Sequence, residues 1–257
     1  MAEALDEKTV TAVRALLAGA RRVLFITGAG VSADSGLPTY RGVGGLYEGK
    51  ATEDGYTIEE ALSATVFRRH PDITWKYLWE IGAACRRARP NRAHEIIAEI
   101  ESAKPESWVL TQNIDGFHHE AGSRHLIEVH GRASRLYCLR CGEPYTPEQV
   151  LAGYVAPVVL PPRCACGGVI RPDVVLFEEM LPPDALEKMA ALDENPPDLV
   201  MVIGTSGQFP YIAQPVWRAK MRGAPSVEIN PERTPLSKIV THRLAGGAAE
   251  VLEQLWP

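Results

Sequence analysis

Four of the five cysteines fall into two close pairs, Cys138-x-x-Cys141 and Cys164-x-Cys166, joined by residues 142–163. Two such knuckles offer four thiolates, the donor set of a tetrahedral zinc ion. With every position taken by sulfur, the implied metal holds structure and does not catalyse. Gly142, Gly167 and Gly168 flank the pairs and permit turns that aim backbone N–H groups at sulfur. The second pair is one residue shorter than the usual Cys-x-x-Cys, a departure that two ligands of a single ion tolerate. The alternatives are a redox dithiol, to which two pairs are poorly suited, and inert buried thiols. Cys85 stands alone and reads as a small core residue.

A second set of residues is polar and follows short apolar runs. Gly28-Ala-Gly-Val-Ser-Ala-Asp-Ser-Gly36 comes directly after Arg22 to Thr27. A glycine turn at a strand end can bring backbone N–H groups to a pyrophosphate. The third glycine falls six residues after the second, out of register with Gly-x-Gly-x-x-Gly, so a tight turn without a ligand is an open alternative. Gln112-Asn-Ile-Asp115 follows Trp108 to Thr111, Gly204-Thr-Ser206 follows Leu199 to Ile203, and Asn230 follows Ser226 to Ile229. His130-Gly131 follows Leu126 to Val129. A histidine there could act as a general base near neutral pH, against the plainer alternative of a structural or exposed ring. His118 and His119 lie on a predicted helix after Asp115, where local hydrogen bonding is the default, and His70 and His242 have no placement of interest.

These groups converge only if the apolar runs are strands of one parallel sheet, whose carboxyl ends gather along one edge and bind ligands in the crevice there. Helix-period segments lie between several of the runs, including Asn91 to Ala103, Tyr211 to Arg222 and Gly246 to Trp256. The expectation is α/β: a Rossmann-like parallel sheet with helices on both faces. Two stretches break the alternation and are predicted to form a smaller lobe. One is a helical insertion rich in aromatic and basic residues, and the other is the cysteine segment. The expected domains are 1–46, 91–135 and 171–257 for the sheet, with 47–90 and 136–170 for the small lobe.

The chain of 257 residues carries 27 Lys+Arg against 32 Asp+Glu, a formal charge of −5. Hydrophobic residues at 46% and charged ones at 23% suit a globular protein and set aside collagen-like or disordered classes. The longest apolar runs are far below the ~20 residues of a spanning helix. The acidic start lacks the basic region of a signal peptide, so no secretion is expected. A negative charge also leaves no footprint for unspecific nucleic-acid binding.

Taken together, the motifs resemble the sirtuins, NAD-dependent protein lysine deacylases. Residues 28–41, ending Leu37-Pro-Thr-Tyr-Arg41, are similar to the family's first motif. Thr111-Gln-Asn-Ile-Asp-Gly-Phe-His118 with Ala121-Gly-Ser123 is similar to the second, and Val129-His-Gly131 to the segment with the catalytic histidine. Gly204-Thr-Ser206, Ile229-Asn-Pro-Glu232 and the position of the cysteine cluster extend the resemblance over about Arg21 to Leu255.

The resemblance implies NAD as co-substrate, one structural zinc on Cys138, Cys141, Cys164 and Cys166, and catalytic roles for His130, Asn113 and Asp115. Gly28, Ala29, Gly30, Ser32, Tyr40 and Arg41 would line the NAD pocket, and Gln112, Asn113, Ile114 and Asp115 would surround the nicotinamide ribose. Gly204, Thr205, Ser206, Asn230, Pro231 and Glu232 would hold the adenosine half, with Ala248 near the adenine. In the implied reaction the acyl-lysine oxygen displaces nicotinamide to give an alkylamidate, His130 serves as base, and water completes transfer to 2′-O-acyl-ADP-ribose. The implied partner is acylated lysine in proteins or peptides. No membrane and no nucleic acid is expected, and the chain is expected to be cytoplasmic and a monomer or weak oligomer. NAD hydrolysis or ADP-ribosyl transfer in the same pocket is the alternative activity.

Three departures stand out: Tyr40 in place of the family's phenylalanine, Glu178 in place of a glycine, and Gly207-Gln-Phe-Pro210 in place of a Val-x-Pro pattern. The last two fall in segments similar to those that clamp the substrate peptide. Where succinyl-preferring members carry a Tyr-x-x-Arg pair, this chain has Leu78 and Ile81, so acetyl or other neutral acyl groups are expected to be preferred over succinyl.

Overall fold

The computed structural model describes residues 5–39, 51–151 and 160–257, with only the backbone of Leu151. Tyr40 and Arg41 lie outside the described residues. The strands run in chain order as β1 (Val23–Thr27), β2 (Trp108–Thr111), β3 (Leu126–Glu128), β4 (Gly131–Cys138), β5 (Pro144–Tyr145), β6 (Ile170–Val174), β7 (Leu199–Ile203), β8 (Ser226–Ile229) and β9 (His242–Leu244). Six of them form one sheet in the order β3-β2-β1-β7-β8-β9, parallel throughout. The chain builds outward from β1 to β3 and then returns to the other side of β1 for β7, β8 and β9. This reversal puts the topological switch point between β1 and β7, where an open α/β sheet forms its ligand crevice.

Every residue of β1 and β7 is buried. Both read as continuous apolar runs because helices cover both faces. Alternate side chains serve different cores. Val23 and Phe25 join Leu199, Met201 and Ile203 against the helices Glu7–Gly19, Arg92–Ala103 and Ala248–Leu255. Leu24 and Ile26 join Val200 and Val202 against the helices Pro183–Glu194 and Pro210–Arg222. Side chains at i and i+3 or i+4, such as Val10, Val13 and Leu17, give each helix its buried stripe. Asp6 and Asn91 cap two of these helices by accepting from backbone N–H groups.

A smaller antiparallel sheet, in the order β5-β4-β6, carries the cysteine segment. Its apolar side shares one cluster with the helices Ile58–Ala61, Ala64–Arg69 and Pro71–Arg87, through Leu62, Phe67, Trp75, Leu78, Leu136, Ile170 and Val174. The Trp75 Nε1–H donates to the Ile170 carbonyl at 2.7 Å and pins the long helix to β6. The buried Arg171 guanidinium donates to the Val174 carbonyl and to both Glu179 oxygens, and it lies 5.1 Å from the Phe67 ring centre. These contacts hold the segment after β6 against the helical insertion. Two features depart from the sequence expectation. β9 is a short half-buried edge strand without an apolar run, and the cysteine loops hang on a small antiparallel sheet whose strands carry no regular alternation.

Backbone approaches backbone closely at the switch point. Gly28 N–H donates to the Ile203 carbonyl, and Gly30 N–H donates to the Gly204 carbonyl at 2.8 Å. A Cβ on Gly30 would lie 2.7 Å from the Gly204 Cα, whereas a Cβ on Gly19 meets nothing within 4 Å. Gly30→Ala is therefore expected to destabilise by about 1–3 kcal/mol through overpacking of backbone on backbone. Gly19→Ala, in a helix, should be neutral or stabilising by up to about 1 kcal/mol. Urea unfolding midpoints of the two variants check this pair of opposite signs.

Candidate active site

The carboxyl ends of β1, β2, β7 and β8 open into a cleft of about 1060 Å³. Its lining includes Gly28, Ala29, Gly30, Gln112, Asn113, Ile114, His130, Gly204, Thr205, Ser206, Asn230, Pro231, Glu232 and Ala248, all singled out in the sequence. The four strand ends are tied to one another by polar side chains. The Gln112 amide donates to Thr205 Oγ1 at 2.8 Å, and the Asn230 amide donates to the Thr205 carbonyl at 3.2 Å. Ser32 and Asp115 line a second, much smaller cavity of about 50 Å³ behind the cleft, together with Ile81, Cys85 and Asn113.

A network of buried polar groups supports this floor. Asn113 Nδ2 donates to the Gly28 carbonyl and to Ser32 Oγ, both at 3.1 Å, and Ser32 donates to Asp115 Oδ2 at 2.8 Å. His94 Nδ1 lies 3.2 Å from both the backbone nitrogen and the side-chain oxygen of Asn91, and its Nε2 lies 3.4 Å from Ser32 Oγ. His118 meets Thr27 Oγ1 at 2.9 Å and packs edge-on against His94. Local bonding was the sequence expectation for His118, yet its partner lies across the sheet on β1, because the short helix Phe117–Glu120 turns its ring inward. Burial drives His94 down to about 4 and His118 well below its ordinary value, so both are neutral at pH 7. Burial pushes the Asp115 carboxyl up, against the Phe117 N–H and the Ser32 hydroxyl, which favour its charged form.

His130 sits just past β3, at the start of β4. Its Nδ1 lies 2.9 Å from the Gln112 carbonyl and its Nε2 lies 2.8 Å from the Tyr211 hydroxyl. A carbonyl can only accept, so Nδ1 carries the proton and Nε2 the lone pair. Burial lowers the imidazole below 6.5, and the bond to Gln112 opposes that shift. Phe209 and Tyr211 stack on each other and enclose the ring. Tyr211, His94 and Thr27 were not singled out from the sequence. The only signals available were an aromatic residue beside Pro210 and the Asn91-x-x-His94 helix start.

The opposite wall of the cleft is apolar: Leu62, Leu78 and Ile81 come from the helical insertion, and Val174, Leu176 and Phe177 from the end of β6 and the segment after it. Glu178 lines it too and is held at φ 71, the left-handed region where glycine is at ease. Its carboxylate accepts from the Thr65 N–H at 3.1 Å and from the Thr65 hydroxyl at 2.7 Å, which holds the strained backbone in place.

Cys138, Cys141, Cys164 and Cys166 present four sulfurs, all within 4.8 Å of one another. Contacts of 3.5–3.6 Å run between Cys138 and Cys166, Cys141 and Cys164, and Cys141 and Cys166. An ion bound at about 2.3 Å to four thiolates spaces them about 3.8 Å apart, so the cluster is positioned to bind one zinc ion. Backbone N–H groups of Arg140 and Cys166 point at sulfur, and a Cβ on Gly168 would lie 2.6 Å from the Cys138 sulfur. None of the four lines the cleft. Cys85 is half-buried, and burial pushes its thiol up to about 12.

The Sir2 family profile matches residues 28–210. The chain is 52% identical over 250 residues to the NAD-dependent protein deacylase 2 of Pseudomonas aeruginosa, covering 96% of this chain and 95% of that protein. It is 37% identical over 254 residues to the NAD-dependent protein deacylase 1 of Archaeoglobus fulgidus, covering 98% and 96%. Among solved structures, a Sir2 complex with deacetylated p53 peptide and 3′-O-acetyl ADP ribose matches with a TM-score of 0.83 at 31% identity, covering 96% of each chain. A Sir2 homologue with NAD matches with a TM-score of 0.80 at 35% identity, covering 97% of this chain and 92% of that one. Motifs, strand order and crevice agree with these matches: the chain belongs to the Sir2 family.

Proposed function

We propose that this protein is an NAD-dependent protein lysine deacylase that moves the acyl group of acyl-lysine to ADP-ribose, releasing nicotinamide and 2′-O-acetyl-ADP-ribose. The observation that carries the reading is the orientation of His130: a neutral imidazole whose lone pair faces the same cleft as the glycine crevice of β1 and β7. In this reading 1–46, 91–135 and 171–257 form the nucleotide domain, while 47–90 and 136–170 form the small one.

When bound, NAD supplies a ribose carbon with nicotinamide as leaving group. The chain's own residues supply the rest. Gly28, Ala29 and Gly30 let backbone approach the phosphates closely, and Gly204, Thr205, Ser206, Asn230, Pro231, Glu232 and Ala248 seat the adenosine half. Gln112, Asn113, Ile114, Ser32 and Asp115 surround the nicotinamide end, where a preformed polar floor holds the ribose without reorganising. His130 takes a proton from a ribose hydroxyl at Nε2, with the Gln112 carbonyl stabilising the positive ring through Nδ1–H. The four cysteines hold one zinc ion that keeps β4, β5 and β6 in register.

Substitution of the base tests the reading directly. His130→Ala is expected to lose about 10²–10⁴-fold in turnover of an acetyl-lysine peptide while ADP-ribose binding persists. Retained turnover would remove His130 from the reaction. Because only the neutral ring accepts a proton and burial lowers its folded value, kcat/KM should fall on acidification at a pH below that of an ordinary imidazole. Nicotinamide release that needs no acyl-lysine and is not accelerated by it would instead mark an NAD hydrolase.

Leu78 and Ile81 both line the cleft, and a succinyl carboxylate placed against them would meet apolar side chains. Acetyl-lysine is therefore expected to be turned over with a kcat/KM at least about tenfold above succinyl-lysine, checked with matched peptides at one NAD concentration. Metal analysis should find about one zinc per chain, and a strong chelator should lower the melting temperature. A metal-free preparation with unchanged melting would overturn the structural role.

A further inference from the structure

The imidazole of His130 is held at both ends. Gln112 fixes the proton on Nδ1 at 2.9 Å, so the Tyr211 hydroxyl, 2.8 Å from Nε2, must donate to the remaining lone pair. That lone pair accepts one proton, and while the phenol is bound no ligand hydroxyl can use it. Phe209 stacks on Tyr211 at 5.3 Å with the planes 14° apart and meets His130 edge-on at 5.9 Å. All three rings line the cleft.

We propose that Tyr211 is a positioning residue for His130: its hydroxyl aims and caps the imidazole lone pair in the free protein and yields that place to a ribose hydroxyl of the nucleotide. The inference rests on the reading of His130 as the base. The two clamps belong to one circuit. The carbonyl of Gln112 holds Nδ1, its side-chain amide holds Thr205 Oγ1, and Thr205 begins the turn that leads through Gly207 and Phe209 to Tyr211. A nucleotide seated on Gly204 to Ser206 therefore presses on the same turn that carries the cap. Exchange is favoured over a relay of the proton through the phenol oxygen, because burial pushes the Tyr211 phenol up to about 12 and a phenolate would form there only at high cost. Phe209 lies within the Gly207-Gln-Phe-Pro210 departure from the Val-x-Pro pattern, and its placement beside Tyr211 and His130 gives that departure a physical role.

A cap present in the free protein taxes ligand binding by the fraction of time it is open. Tyr211→Phe keeps the ring and its stack and removes only the hydroxyl. With saturating acetyl-lysine peptide, kcat/KM for NAD should rise about two- to tenfold, the worth of one ordinary hydrogen bond, with the gain in KM. An unchanged kcat/KM overturns the proposal. So does a tenfold or greater fall in kcat, which would put the phenol in the chemistry. Should the variant fold poorly, nitrogen NMR of the His130 ring in the wild-type protein decides: a free-state Nδ1–H ring whose Nε2 signal shifts when ADP-ribose is added supports the cap, and an unmoved signal overturns it. His130→Ala run in parallel separates the two readings. Turnover retained there sinks the base assignment. Turnover lost there, with Tyr211→Phe unchanged, sinks the cap alone.

Discussion

The contact on which the rest depends is the backbone-to-backbone approach of two turns at the switch point of the sheet. Gly30 N–H meets the Gly204 carbonyl at 2.8 Å, and neither residue has room for a side chain. β1 and β7 are neighbours in space although far apart in the chain, and their loops must diverge to opposite faces. With no Cβ between them, the loops leave close together and open a crevice whose walls are main chain. The Ala29–Ser35 turn of 3₁₀ helix, the Ser32 hydroxyl and the Thr205 side chain take their positions from that approach.

Below the crevice the protein buries polar groups that bond mainly to one another, although His118 Nδ1 has no partner among the described residues. Asn113 bridges the β1 turn to Ser32, Ser32 joins Asp115, and His94 and His118 fill the space behind them. A charged histidine here would have to be stripped of water with no anion facing it. The cheaper solution is neutral imidazoles used as shaped donors and acceptors.

The helical insertion and the segment after β6 supply the facing wall, and two devices hold it. The cysteine cluster organises loops too short and too polar to build a core unaided. Arg171 acts on the other side. Buried and bonded to Glu179 and the Val174 carbonyl, it fixes the segment after β6, whose Glu178 accepts a left-handed backbone while tied to Thr65. That segment and the helix bearing Leu78 and Ile81 therefore meet the nucleotide crevice as one surface.

What the sequence determined by itself was local and periodic. Continuous apolar runs at Val23–Thr27 and Leu199–Ile203 declared doubly covered parallel strands, because burial on both faces leaves no polar alternation. The cysteine pairs declared their ligand geometry because chelation acts over a few residues, and the polar residues after each strand declared the crevice because strand ends share one edge. The tertiary structure alone decided what depends on distant partners. His118 bonds to Thr27 across 91 positions, and Tyr211 reaches His130 across 81. β9 exists because β8 offers it an edge to pair with, and Glu178 keeps its left-handed backbone because Thr65 receives its carboxylate. Spacing in a sequence cannot encode such contacts, since a side chain's hydrogen-bond partner is chosen by the packing of whole elements and not by the residues beside it.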